Sequence, residues 1–233
     1  MHDIVVLFDL DNTLLDNDAV QVDLDQYLET TFGTAARTRY RALFEELRSS
    51  LGYADYLGAL QRYRLEELHD PRVLRMANWL TDYPFAERLY PYAMQAIQHA
   101  TMFGMPAMLS DGDAAFQPRK AERSGLWHAF DDNIMIFVHK EECLDDVERL
   151  YPAKHYVMID DKLRILDVVK KYWGERVTTV FPRQGHYAFD PEILAAYPPA
   201  KTADITIERI GDFLNYDGPK LLQAARRRNT ATN

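Results

Sequence analysis

Four apolar runs in this chain each stop at a polar residue, and that recurrence restricts the fold more than any other feature. The runs are Val5-Val6-Leu7-Phe8 before Asp9, Ala107-Met108-Leu109 before Ser110, Ile134-Met135-Ile136-Phe137-Val138 before His139 and Lys140, and Tyr156-Val157-Met158-Ile159 before Asp160 and Asp161. Short and rich in Val, Ile, Met and Phe, they read as strands buried on both faces of a parallel sheet. In such sheets ligands bind beyond the carboxyl ends of the strands. All four polar groups fall at that edge.

Between these strands the chain reads as helix. Pro91–Met102 leads into the strand ending at Ser110, the segment around Phe116–Phe130 into the one ending near Lys140, and Glu142–Leu150 into the one ending at Asp160. Leu163–Trp173 then precedes a fifth strand, Val177–Phe181. Alternation of this kind gives an α/β fold, a parallel sheet with helices on both faces. It is interrupted once. The break lasts about seventy residues after Asp9, and from Val20 to Leu80 the pattern is helical throughout, with apolar stripes such as Tyr40, Leu43, Phe44 and Leu47, or Tyr56, Leu57, Leu60 and Tyr63. Gly33 and Gly52 break this stretch, and Asp70-Pro71 starts its last helix. Residues 17–83 are therefore expected to form a helical domain inserted into a core domain built from 1–16 and 84–233. Asp16-Asn17-Asp18 and Tyr83-Pro84 would be the hinge segments. Past Phe189 only a weak strand, Ile205-Thr206-Ile207, stands out.

Bulk properties remove several function classes. With 36 acidic against 27 basic residues, the net charge of -9 opposes a nucleic-acid backbone as the main partner. The basic cluster Arg226-Arg227-Arg228 reads as solvated. No apolar run approaches the roughly 20 residues of a membrane span, and the chain enters a strand at once without a signal-peptide pattern. A cytoplasmic location is the resulting expectation, and the single Cys143, which offers no internal disulfide, agrees with it.

Asp9-Leu10-Asp11-Asn12-Thr13, Ser110, Lys140 and Asp160-Asp161, in that order, resemble the four motifs of the haloacid dehalogenase-like superfamily of hydrolases. The likeness covers residues 3–181, and its most specific element is Asp-x-Asp-x-Thr at the end of an N-terminal buried strand. It implies a Rossmann-like core carrying an inserted α-helical cap domain, similar to the first cap class found in phosphoglycolate phosphatase-like enzymes. One departure is visible, since Glu141 stands where the family usually has a proline after the lysine. The rival lysine, Lys154, precedes its strand and so falls at the opposite edge of the sheet.

By that resemblance Asp9 is the nucleophile and Asp11 the general acid and base of a Mg²⁺-dependent phosphatase. Its substrate would be a small phosphorylated metabolite, hydrolysed through an aspartyl-phosphate. Mg²⁺ takes oxygen ligands, for which Asp9, the backbone carbonyl of Asp11, Asp160 and Asp161 are the candidates. Without a cation that many acidic groups would repel one another strongly. Thr13, Ser110, the amides of Asp111 and Gly112, and Lys140 are the candidates for the phosphate, with Thr13 also holding its own loop. The competing role for Asp161 is to cap the helix that begins near Leu163, and metal binding is the favoured one. In the insertion, Arg48, Tyr53 and Arg62 are available to a substrate, and Phe181-Pro182-Arg183-Gln184-Gly185-His186 lies past the fifth strand at the active edge. The alternatives are a phosphomutase, a 2-haloacid dehalogenase and a non-catalytic binding module. Dehalogenases of the superfamily lack a carboxylate at the position of Asp11, because halide leaves without a proton. A binding module normally lacks a motif residue, and none is missing here.

Overall fold

The structure, a computed structural model, describes residues 1–230. Its strands are β1 (His2–Phe8), β2 (Met105–Asp111), β3 (Ile134–Phe137), β4 (Ala153–Ile159), β5 (Val177–Pro182) and β6 (Ile205–Ile207). They form one six-stranded sheet in the order β3-β2-β1-β4-β5-β6, and every pairing is parallel. The chain steps outward from β1 through β2 to β3, then crosses to the other side of β1 for β4. Phe8 stands opposite both Met108 and Ile159, so the residues that follow β1 and β4 emerge side by side. That reversal of direction opens a crevice beside the carboxyl end of β1, where α/β sheets take their ligands.

Side chains alternate across the sheet with the two-residue period of a strand. Val5 and Leu7 of β1 join a cluster on one face with Leu163, Leu166, Val169 and Trp173 of α9 (Leu163–Trp173). Ile4, Val6 and Phe8 join the opposite face, with Ala96 and Ile97 of α5 (Ala93–Ala100) and Phe116 and Ala121 of α6 (Phe116–Ser124). Leu7 is fully buried, and truncating it to Ala is expected to cost about 2–5 kcal/mol. The helical segment expected around Phe116–Phe130 is split by Gly125 at φ 79° into α6 and a single turn, α7 (Leu126–Ala129). After β3, α8 (Leu144–Leu150) leads to β4.

Four helices separate β1 from the rest of the core: α1 (Asn17–Phe32), α2 (Thr34–Leu51), α3 (Tyr56–Glu66) and α4 (Arg72–Asp82). Each buries one stripe. Tyr40, Leu43, Phe44 and Leu47 are the buried face of α2, and Tyr56, Ala59, Leu60 and Tyr63 that of α3. Tyr56 packs on Phe116, ring centroids 4.9 Å apart, so the apolar interior of these helices runs on into one face of the sheet. Residues beyond Phe189, nearly silent in the sequence, form α10 (Pro191–Ala196), α11 (Pro199–Thr202), β6 and α12 (Gly218–Thr230). Leu221 and Ala225 of α12 are fully buried. Arg226 is exposed, while the side chains of Arg227 and Arg228 lie outside the described residues. Among the described residues no helix is long and apolar enough to cross a membrane.

Candidate active site

Asp9 leaves β1 into a turn that reverses at once. The amide of Leu14 and that of Leu15 both donate to the Leu10 carbonyl, and Asn12 sits at φ 59°, a left-handed conformation that Asn tolerates better than most residues. The Asn12 side chain caps the start of α1, its Oδ1 accepting from the amides of Asn17 and Asp18. Gln184, past β5, donates from Nε2 to the Thr13 carbonyl at 3.0 Å and holds the same turn from the other side. Gly185 follows with φ 68°, and a Cβ there would lie 2.5 Å from that of Asn12. The segment after the fifth strand thus reaches the site by clamping this turn, while His186 lines the cleft beyond it and Arg183 turns away to pair with Glu208.

Within the turn, Asp9 is almost wholly buried. Lys140, fully buried, places its ammonium 2.5 Å from Asp9 Oδ1 and 2.6 Å from Asp160 Oδ2. It also donates to the Leu109 carbonyl at 3.2 Å. The contact with Asp160 is an ion pair. Burial works against the Lys140 charge, but Asp160 and Asp9 outweigh it and hold the ammonium above its ordinary value. The Asp9 carboxyl is pushed up to about 7, chiefly by burial; Asp160 adds to the rise, while Lys140 and Lys162 oppose it.

Asp9, Asp160 and Asp161 offer carboxylate oxygens that all lie within 4.8 Å of one another. Both Asp161 oxygens are buried without a hydrogen-bond partner, and burial, reinforced by Asp9, drives this carboxyl well above its ordinary range. A buried anion left in that state is costly unless a cation completes it. The donor set, all oxygen and all acidic, suits a hard divalent ion. Asp161 does not cap α9. The N-cap position of that helix is Lys162, which makes no side-chain cap, and it is Asp160 Oδ1 that accepts from the Lys162 amide at 2.8 Å.

The remaining expectations are partly corrected. The Gly112 amide, expected to face phosphate, donates to the Phe137 carbonyl at 2.9 Å because the β2–β3 ladder continues one residue past the strand. The glycine is needed for another reason: a Cβ there would stand 2.6 Å from the Gln117 side chain. Asp111 turns its Oδ1 to the Lys140 amide at 2.7 Å and so shapes the loop that presents the lysine. Thr13 is also committed, since its hydroxyl donates to Asp9 Oδ2 at 3.3 Å and accepts from the Asp161 amide at 3.1 Å. It ties the turn after β1 to the acidic pair, and its hydroxyl hydrogen is already given to Asp9 rather than free for phosphate. Ser110 Oγ accepts from Gln117 Nε2 at 2.9 Å, and the same nitrogen lies 3.2 Å from Asp11 Oδ2. Asp11 stands apart from the three-carboxylate cluster; its side chain pairs instead with the fully buried Lys120, 2.7 Å away. Lys154 pairs with Asp3 at the far edge, with side chains 64% and 82% exposed.

A cleft of about 610 Å³ opens above Asp11 and Asp161. Helix α2 contributes Arg41, Phe44 and Arg48 to its wall, the connection from α2 to α3 contributes Tyr53, and the core contributes Lys162, His186 and Tyr187. Arg62 is not on the wall and faces Glu46 at 3.8 Å. Arg41 and Arg48 already have acidic partners, Asp25 and Glu45. Lys120, Gln117 and Lys162 were not singled out by sequence reasoning, and Gln184 only as part of the segment past the fifth strand. Their only local signal is spacing: Gln117 and Lys120 are three apart on a helix, and Gln184 sits where a strand ends at the active edge.

A family model described as haloacid dehalogenase-like hydrolase matches residues 5–168. Among solved structures, a haloacid dehalogenase-like hydrolase from Burkholderia xenovorans LB400 is 56% identical, with a TM-score of 0.89 over 95% of this chain and 99% of its own. The L-2-haloacid dehalogenase of Xanthobacter autotrophicus shares the fold at 18% identity and a TM-score of 0.59, covering 91% of this chain and 96% of that one. The magnesium-bound HAD-hydrolase YfnB of Bacillus subtilis does so at 16% identity and 0.58, covering 91% and 97%. No curated protein matches the chain.

Proposed function

This chain belongs to the haloacid dehalogenase-like hydrolase family, and we propose that within it the protein is a Mg²⁺-dependent phosphatase of a small phosphorylated metabolite. The observation that carries the reading is the pairing of two separate acidic features. One is the Asp9, Asp160 and Asp161 cluster, whose Asp161 oxygens lack any partner; the other is the Asp11 carboxylate two residues from Asp9, a quarter exposed and lining the cleft. Displacement of halide calls for neither a cation nor an acid. Cleavage of a phosphate ester benefits from both.

In this reading Asp9, Asp160, Asp161 and the Asp11 carbonyl hold Mg²⁺, which when bound neutralises charge on the phosphoryl oxygens and orients them. Asp9 attacks phosphorus, forming an aspartyl-phosphate as the bond to the leaving oxygen breaks, and Asp11 delivers a proton to that oxygen. Asp11 then takes a proton from the water that attacks the phosphorus, which releases inorganic phosphate and restores Asp9. Lys140, fixed by Asp9 and Asp160, keeps the buried nucleophile charged and offsets the incoming dianion. Ser110, near the end of β2, would turn its hydroxyl hydrogen from the Asp111 carbonyl, 3.3 Å away, to a phosphoryl oxygen. Residues 17–83 act as a cap over residues 1–16 and 84–233, excluding water and selecting the leaving group through Arg48 and Tyr53.

The L-2-haloacid dehalogenases that share the fold define the competing reaction. Hydrolysis of p-nitrophenyl phosphate and release of chloride from 2-chloropropionate are to be measured side by side, with Mg²⁺ and with excess EDTA. Phosphatase turnover that EDTA abolishes is the expected result. Chloride release indifferent to EDTA, with no phosphatase turnover, would overturn the assignment.

A further inference from the structure

The buried face of α6 carries two polar residues among its apolar ones. Phe116, Gln117, Lys120, Ala121 and Ser124 are all buried, which is the spacing of one helix face, so Gln117 and Lys120 lie one turn apart and point the same way. Both reach the same carboxylate. Lys120 Nζ donates to Asp11 Oδ1 at 2.7 Å and Gln117 Nε2 to Asp11 Oδ2 at 3.2 Å. Lys120 is 0% exposed and Asp11 is its one carboxylate partner among the described residues. A fully buried ammonium is costly and is retained where it has specific partners. Here it has four. Besides Asp11, it donates to Asn17 Oδ1 at 3.0 Å, and it lies 5.3 Å from the centre of the Phe116 ring and 6.0 Å from that of Tyr56.

Asn17 is the first residue of α1, and its own Nδ2 donates to the Tyr56 hydroxyl of α3 at 3.4 Å. The ammonium therefore stands where the nucleophile turn, the core helix α6 and the inserted helices meet. Among the described residues no other group hydrogen-bonds the Asp11 side chain. With Lys120 and Gln117 each taking one oxygen, the carboxylate is locked about its side-chain torsions, while its exposed quarter faces the cleft.

We propose that Lys120 is a positioning residue for proton transfer: it holds the Asp11 carboxylate, jointly with Gln117, in the orientation that faces the leaving oxygen. The inference rests on the reading of Asp11 as general acid and extends it to a residue outside the four motifs. Losing the grip frees Asp11 to rotate, and misplacement by about 1 Å at such a group costs on the order of 10²-fold. That loss depends on how much the leaving group needs a proton.

The test is kcat on three phosphate monoesters, with p-nitrophenolate, phenolate and an alkoxide as leaving groups, for the parent, Lys120→Met, Asp11→Asn and the double variant. Lys120→Gln, shorter but still a donor, is carried alongside in case the apolar replacement does not fold, and thermal melts report folding. In Lys120→Met a loss of about 10²-fold is expected for the alkoxide against less than about 5-fold for p-nitrophenolate, with KM little changed. Lys120→Gln should show the same trend at smaller size. In the double variant Lys120→Met should add almost nothing to Asp11→Asn, because the lysine acts through that carboxylate. Equal losses across all three leaving groups, or losses that add in full to those of Asp11→Asn, overturn the proposal alone. An Asp11→Asn variant whose loss is the same for every leaving group overturns the acid role of Asp11, and the proposal with it.

Discussion

Replacing Asp161 by Asn is expected to stabilise the protein in EDTA, to remove its response to Mg²⁺ and to abolish turnover. Both oxygens of Asp161 are buried without a hydrogen-bond partner, close to Asp9 and Asp160. An unsatisfied buried group costs about 1–3 kcal/mol, and more when it is charged. Asn keeps the volume, removes the charge and brings an NH₂ group that the neighbouring carboxylates can accept from. A gain of about 1–3 kcal/mol follows, which for a chain of this size raises Tm by roughly 3–10 °C. The sign of its pH dependence is fixed by the direction of the shift. A carboxyl raised from its ordinary 3.8 holds a proton in the folded state that the unfolded state has released, so it destabilises the parent increasingly as pH rises above that value. The advantage of the variant should thus grow from about pH 4 toward neutrality. The parent should gain about 2.7 kcal/mol at a Mg²⁺ concentration a hundredfold above Kd, and the variant little or nothing. Differential scanning calorimetry of both proteins, in EDTA and in MgCl₂ across that pH range, supplies all four values. A variant less stable than the parent in EDTA, or one with an undiminished Mg²⁺ shift, would refute the reasoning.

Lys140→Ala should lower kcat/KM by about 10²- to 10³-fold, since it strips the shared cation from Asp9 and Asp160. Lys154→Ala, whose pair with Asp3 is exposed to solvent, should keep parental activity, and similar kinetic losses in both would contradict the geometry. Asp9→Asn should eliminate turnover with the melting curve preserved, and a near-parental rate would exclude the covalent route. His155, buried and bonded to Thr178, is held down to about 4, chiefly by burial with the charge of Lys170 adding to it. Its folded value lies below the unfolded 6.5, so the parent should lose stability, at most about 3 kcal/mol, as pH falls from 6.5 to 4. His155→Gln should flatten that segment of the stability profile, and an unchanged slope would show that this histidine is not responsible.

The strands and the motif residues at their ends were legible because the signals are local. A run such as Val5–Phe8 is apolar on both faces, and the apolar stripe of α9 identified Leu163–Trp173 at its observed bounds. Asp9, Ser110, Lys140 and the Asp160-Asp161 pair could be expected at one edge because parallel strands all end on the same side. Lys120 could not. Gln117-Pro118-Arg119-Lys120-Ala121-Glu122-Arg123 reads as a solvated segment, yet Lys120 is wholly buried, because its partners Asp11 and Asn17 arrive from more than a hundred positions away. Gln184 could be placed at the active edge by its strand, but its acceptor, the Thr13 carbonyl 171 positions away, could not be read there. Local pattern also misjudged Gly112 and Thr13, which looked free for phosphate and are taken up by Phe137, Asp9 and Asp161. Periodicity depends only on a residue's neighbours in the chain and so survives in the sequence. Which polar atom is already occupied depends on what stands opposite it, and that was settled only when the sheet order placed β1 between β2 and β4.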